Sequence, residues 1–332
     1  MSLPQLMLIL KPLLLLFLFT FSAWGLGSWV IKHFATQSQN TLNGLFFPFT
    51  LGTGFIIIIT FLLLLTGSVN LYSLSLLLLF GAVFAFTIIT KNPPTFGIHH
   101  VWFLAIFISE FIPAFVHVLS PESGPDALSY HLPYAEFLAN HQSLTVNEFL
   151  RYPLNALNFN MLYVIAYTLD GEILARMMHS IAALAVAIGL FEWGIKTHQR
   201  VAGLLAAFTW LGSVIVVKLL SSAYIDIGLA LFVFGAAFPF LITSTKPNTN
   251  SYYLSAFMLG VAIGTKYLGL LFLPFFTLWV GLLSRDLKLS IKYMVAAVLV
   301  GSPWYLCSCH FFSFPLRSRD GLRQHWQSNW GL

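Results

Sequence analysis

The chain has 332 residues, 58% of them hydrophobic and only 8% charged, with a formal net charge of +5. Soluble domains carry about a quarter charged residues, so there is too little charge here to cover a water-facing globular surface. Residues 33–90 contain no Asp, Glu, Lys or Arg, and long unbroken apolar runs exclude a β-barrel, whose strands alternate polar with apolar residues.

The expected fold is therefore an all-α polytopic membrane protein. Apolar runs between polar punctuation predict about ten transmembrane helices, at 12–31, 45–65, 69–90, 98–120, 173–195, 201–217, 225–244, 252–265, 267–284 and 290–306. The first run is uncharged throughout and longer than the apolar core of a signal peptide, so it reads as an uncleaved span. The run 252–265 is short and reads as tilted or broken near Gly264. Residues 155–170 (NALNFNMLYVIAYTLD) are too short to cross and rich in asparagine. They read as an interfacial helix lying apolar face down. The stretch 121–172 then becomes one long extracytoplasmic loop, and its aromatic, apolar composition points to a folded functional segment. This gives N-terminal spans of unassigned role at 1–97, a main membrane domain at 98–306 and an atypical tail at 307–332. Neither internal repeats nor a matched pair of Gly/Pro-broken helices, the mark of a transporter core, is evident.

Orientation follows from the connections. With an external N-terminus and strict alternation, Lys32, Lys91, Lys196, Arg200, Lys246, Arg285, Lys288 and Lys292 share one side. Lys11, Arg151, Arg176, Lys218 and Lys266 share the other, together with three tail arginines. The positive-inside rule makes the first set cytoplasmic, which implies a multi-pass protein of the cell inner (cytoplasmic) membrane. The basic residues form no stripe, so no nucleic-acid partner is implied. Cys307 and Cys309 make no zinc pattern and lie too close together to staple a fold.

The loop contains Ser123-Gly124-Pro125-Asp126-Ala127-Leu128-Ser129-Tyr130-His131-Leu132-Pro133-Tyr134. Pro125 suits the first position of a helix, which places Asp126 in the first turn and Tyr130 one turn on, on the same face. A helix N-terminus keeps the Asp126 carboxylate ionised and able to accept a proton; equally, such an Asp can simply stabilise the helix. Arg151 and Tyr152 close the loop, Arg176 opens the next span, and Lys218 and Asp226 flank Ser221-Ser222-Ala223-Tyr224. Lys218 reads as a snorkelling anchor. Lys266 lies between two apolar segments, where a charge costs roughly 2.5–3.5 kcal/mol to insert and marks a functional candidate. Its partner would be Asp226 or an anionic ligand such as a lipid phosphate. Glu110 within a span reads as a packing residue, His179 as a core histidine, and His99-His100 as interfacial.

The ordered stretches PDALSYHLPYAEFL (125–138), RYPLNALNFNMLYVIAYTLDGEILARMMHS (151–180), AYIDIGLALF (223–232), GVAIGTKYLGLLFLP (260–274) and SPWYL (302–306) resemble the GT-C class of polyprenyl-phosphate-sugar-dependent glycosyltransferases. More narrowly, they are similar to bacterial relatives of the protein O-mannosyltransferases and the lipid A aminoarabinose transferases. The resemblance implies Asp126 as general base and Asp226 as a second acidic position. It also implies Lys266 as a phosphate-binding cation, with Arg176 and Arg151 beside it and Tyr130, His131 and Tyr152 in support. The implied reaction is inverting transfer of a sugar from a polyprenyl-phosphate donor to an extracytoplasmic glycan, lipid or protein acceptor, with no cofactor. One loop carboxylate makes a poor site for a divalent ion, so no metal is expected. Many relatives carry an acidic pair in the loop; here Asp126 is preceded only by Glu122. The tail after Leu306 departs from the family pattern, as an altered or truncated reading frame would.

Two rivals from other classes remain. In a transporter or flippase of lipid-linked sugars, Lys266, Asp226 and Glu110 would line a pathway; in an inactive member of the same fold they would be relics. The long folded loop favours a transferase, which must receive an acceptor.

Overall fold

The computed structural model describes residues 3–35, 42–91, 98–147, 150, 156–243 and 248–313. Among these there is no strand. Helix α1 is Leu3–Phe34, α2 Phe46–Leu65 and α3 Leu71–Lys91. Helix α4 runs from 98 to 119 through a π turn at Phe107–Phe111 and ends in a 3-10 turn, and α5 covers 125–141 with a π turn at Ala127–His131. Helices α6 (Asn160–Leu169), α7 (Glu172–Lys196), α8 (Arg200–Leu211) and α9 (Val214–Leu220) follow. The last four are α10 (Asp226–Leu241), α11 (Thr249–Thr265), α12 (Gly269–Ser284) and α13 (Leu287–Ser313).

The apolar segments fall where the hydropathy put them, but ten crossings do not follow. Among the described residues six helices are long and apolar enough to cross a membrane: Ile9–Phe34, Phe46–Leu65, Leu71–Lys91, His100–Leu119, Glu172–Lys196 and Leu287–Cys307. A seventh arises if α8 and α9, bent by 60° at their break, count as one span. Helices α10 and α12 have 16 residues each and α11 has 17. At 1.5 Å per residue they reach about 24–26 Å, short of a hydrocarbon core of about 30 Å. The windows 225–244 and 267–284 include turn residues beside α10 and α12, whereas 252–265, already short, lies inside α11.

Close helix crossings rest on small residues, as expected where lipid offers no hydrophobic drive for association. Gly27 of α1 lies against the backbone of Pro48 and Gly52 of α2, and Gly25 against Gly81 and Ala85 of α3. A Cβ at Gly194 would come within 2.6 Å of the Gly203 Cα, so α7 and α8 meet backbone to backbone. Ser22 of α1 donates to the Leu78 carbonyl of α3 at 2.5 Å, one of the few polar bonds between spans.

Hydrogen bonds gather the helix ends into two faces. On one, Leu144 N–H reaches the Leu64 carbonyl (3.0 Å), Lys11 pairs with Asp170 (2.8 Å) and Ser180 bonds the Leu220 carbonyl (2.6 Å). On the other, Lys196 donates to the Asn43 carbonyl (2.8 Å), Leu45 N–H to Glu192 (2.6 Å), and Asn250 to the Phe34 carbonyl. The helices thus alternate in direction, and the described ends of the 121–172 segment, at Ser120–Gly124, Leu144 and Asp170, are tied to the first face. One expectation needs correction there. Helix α6 does not lie on a lipid surface: from Asn160 to Ala166 no residue is more than 1% exposed. Its apolar residues are covered on all sides by α5, α7 and α2, which makes it a packed plug.

Candidate functional site

The first face is knitted together by Glu122. Its Oε1 accepts from Ser123 N–H (2.8 Å), Gly124 N–H (2.8 Å) and the Ser222 hydroxyl (2.7 Å), and its Oε2 accepts from Ala223 N–H (2.9 Å). Burial pushes its carboxyl pKa up, but the bonds from Gly124, Ala223, Ser222 and Ser123 outweigh burial and leave it below the usual value. Arg176, buried beside it, approaches Glu122 at 3.5 Å. The guanidinium also donates to the carbonyls of Ser221 (2.8 Å), Ser120 and His117 (3.2 Å) and approaches Glu172 at 3.5 Å. This clamp joins the loop at 120–124 to the turn at 221–223.

The clamp sets two helix starts side by side. A Cβ on Gly124 would lie 2.6 Å from the Tyr224 ring, so the chain entering α5 runs directly along the chain entering α10. Helix α5 begins at Pro125, as its sequence implied. The Asp126 side chain makes no capping bond to the π turn that follows it. The π turn at 127–131 then sends the buried His131 inward and leaves Tyr130 partly exposed. Tyr163 supports the other strand of chain by donating to the Tyr224 carbonyl.

Asp226 opens α10, and its Oδ1 meets Lys266 Nζ at 2.6 Å. Lys266 follows α11 in extended conformation. The last turn of α11 is held from outside: Asn158 N–H donates to the Gly264 carbonyl (2.8 Å), its side-chain amide to the Val261 carbonyl (3.1 Å), and the Tyr305 hydroxyl to the Ile263 carbonyl (2.8 Å). Trp304 fixes Asn158 in turn, donating to its Oδ1 at 2.7 Å. Lys266 is therefore presented from a rigid support.

His131 stands at the centre. It is 1% exposed, its Nδ1 lies 3.2 Å from Asn160 Oδ1, and Asn160 returns a bond to the His131 carbonyl. Burial lowers its pKa to about 4, against opposing effects of Asn160, Asp126 and Asp226, while Lys266 adds to the lowering. The imidazole is thus neutral near pH 7, with Asp126, Asp226 and Lys266 acting on it electrostatically. Of the residues that the sequence singles out, Asp226 and Lys266 are in direct contact, and the start of α5 that carries Asp126 lies beside the start of α10.

Others fall elsewhere. Arg151 and Tyr152 lie outside the described residues. Arg176 is committed to the clamp, and Lys218 is exposed at the end of α9. Glu110 lies in the π turn of α4, with Oε2 facing Gly212 at the α8–α9 break, in keeping with packing. His179 is a core residue, edge-on to Phe159 at 5.7 Å. Among the described residues no three His, Cys, Asp or Glu form a group that could hold a metal. A groove of about 1230 Å³ exists, but none of the cluster residues lines it. The structural weight of Glu122, Asn158 and Trp304 was missed: their partners are separated by long stretches of chain, and only the family-like SPWYL stretch marked Trp304.

The model of the dolichyl-phosphate-mannose-protein mannosyltransferase family matches residues 159–306. That segment starts at α6 and runs to the helix carrying Trp304, so it contains Arg176, Asp226 and Lys266, while Asp126 and His131 precede it. The resemblance to GT-C-type glycosyltransferases read from the sequence holds over these residues. An uncharacterized protein of Shigella flexneri is 29% identical over 185 residues, covering 53% of this chain and 91% of its own length. No solved structure matches the chain. The helices and the match together support a multi-pass membrane glycosyltransferase of the GT-C type.

Proposed function

We propose that the protein transfers a sugar from a polyprenyl-phosphate donor to an extracytoplasmic acceptor with inversion at the anomeric carbon. The observation that carries this reading is the Asp226–Lys266 contact of 2.6 Å at the start of α10, beside the start of α5 that carries Asp126 and the buried His131. That face is proposed to be the extracytoplasmic one: among the described residues the opposite face carries more lysine and arginine, the cytoplasmic pattern.

In the proposed step the acceptor hydroxyl oxygen attacks the anomeric carbon as the bond to the phosphate oxygen breaks. Asp126 takes the hydroxyl proton, and the polyprenyl phosphate departs with the bonding electrons. General-base assistance of this kind is worth about 10²–10⁴ in rate. Lys266 offsets the charge on the departing phosphate. It is paired with Asp226 until donor arrives, and because that pair is partly open to solvent, a phosphate oxygen can replace the carboxylate. His131, uncharged, holds the α5 start against α6 through Asn160. Arg176 acts at a distance, as the residue that fixes both helix starts.

Incubating the purified protein with radiolabelled polyprenyl-phosphate sugar and membrane extract tests this. Label moving from lipid to an acceptor fraction, and failing to move with Asp126→Asn, is the expected result. Undiminished transfer by Asp126→Asn overturns the assignment of the base.

A further inference from the structure

A further cavity lies at the other end of the molecule. It is a groove of about 1230 Å³ between α1, α3, α4 and α7, and it includes Phe21, Trp24, Phe103, Phe107, Ile188 and Phe191 in its lining. That exceeds the roughly 300–1,000 Å³ of pockets built for small ligands. The apolar walls continue into outward faces of α3 and α4, where Val83, Phe86, Val101 and Leu104 are more than half exposed, so the groove opens sideways toward lipid.

Its mouth is basic. Helices α1 and α3 run parallel, with Trp29 stacked on Phe84 at 5.1 Å, so their final turns end together. Lys32 and Lys91 both line the groove there and both are exposed. The carboxylate in the lining, Glu192, is turned to the start of α2, where its Oε1 accepts from Leu45 N–H. Neighbouring Lys196 is likewise turned to the Asn43 carbonyl. His100 lines the same end, its ring edge-on to Phe191 at 5.6 Å.

We propose that this groove holds one membrane phospholipid with an anionic headgroup, its phosphate between Lys32 and Lys91 and its chains along the aromatic wall. Basic pockets between membrane helices recognise anionic lipid headgroups in this way. The site lies at the opposite end of the bundle from the Asp226–Lys266 pair, so its occupant is not the sugar donor but a bound lipid that bridges the N-terminal helices to α4 and α7. The inference stands whether or not the protein transfers sugar.

Native mass spectrometry of the full chain, with phosphatidylglycerol and phosphatidylcholine added in equal amounts, reads this directly. The wild type should retain one phosphatidylglycerol in preference to phosphatidylcholine. Removing Lys32 and Lys91 together, as Lys32→Ala/Lys91→Ala, should weaken that preference by about fivefold for each lysine. Lys288→Ala, exposed on the same face, should leave it unchanged. Thr20→Trp narrows the groove without touching a charge and should displace the lipid with both lysines present, which decides the matter if the double variant fails to fold. Equal retention of both lipids by the wild type overturns the proposal. So does retention that survives Thr20→Trp, or displacement of phosphatidylglycerol by an equal amount of polyprenyl phosphate.

Discussion

Two carboxylate–cation pairs on the same face differ in one respect that decides their use. The side chains of Arg176 and Glu122 are 4% and 3% exposed, and every polar edge around them is met by backbone or a serine hydroxyl. Lys266 and Asp226 are 33% and 38% exposed and meet through one contact. A buried pair costs several kcal/mol per ion in lost hydration and persists only when fully hydrogen-bonded. It cannot release a member to a ligand. A half-open pair is screened and worth about 0–1 kcal/mol, so exchanging its carboxylate for a phosphate costs little. The family resemblance implies one role for Arg176 and Lys266; their exposure differs.

The largest expected effect tests the reaction and leaves both pairs intact. Asp126→Asn should lower transfer by about 10²–10⁴ while thermal unfolding in detergent stays within about 0.5 kcal/mol of wild type. The closed pair should then declare itself by the reverse pattern. Arg176→Met leaves Glu122 buried and uncompensated, and should cost about 3–5 kcal/mol of stability. A denaturation midpoint unchanged by Arg176→Met would mean that the clamp does not hold the two helix starts.

Acid should loosen this face by two routes with the same sign. His131 titrates near 4 in the folded protein against 6.5 ordinarily, so the unfolded chain binds the proton first. Stability present above pH 6.5 is lost as pH falls from 6.5 toward 4, by up to about 3 kcal/mol. Glu122, with its pKa lowered, contributes stability above its ordinary value that disappears as pH drops through the folded one. Melting temperature followed from pH 7 to pH 4 should therefore decline, and His131→Gln should flatten the upper part of the decline. A parallel decline in that variant assigns the loss to other groups.

How much of this was legible beforehand depended on the distance over which each signal acts. Apolar runs and the Pro125 helix start are local, and they were read correctly to within a few residues. The number of crossings is not legible, because the windows over α10 and α12 admit turn residues, and α11, short already in its window, still reaches only 17 residues as a helix. Helix α6 was misplaced because its apolar residues suit protein and lipid equally; only the tertiary fold chooses. Asp226 is legible as one of two partners for Lys266, the other being an anionic ligand, since an apolar chain offers few partners for a charge. The Glu122–Arg176 clamp was invisible, as no spacing rule joins residues fifty positions apart through backbone carbonyls.

The open pair gives the next effect in size. Lys266→Ala should raise the apparent KM for donor on the order of tenfold or more, as loss of one charge-assisted bond implies, while stability changes by no more than about 1 kcal/mol. A variant that unfolds early with donor dependence unchanged would instead make the pair structural, like its buried neighbour. The smallest effect belongs to a cation outside both pairs. Lys218 is exposed at the end of α9, where a lysine complements the helix dipole and anchors at the interface. Lys218→Gln should alter stability by less than about 0.5 kcal/mol and leave the donor KM at the wild-type value. If it raises that KM as far as Lys266→Ala does, then charge at this face acts on the donor through its summed field, and the distinction drawn between closed and open pairs gives way to a simple count of cations.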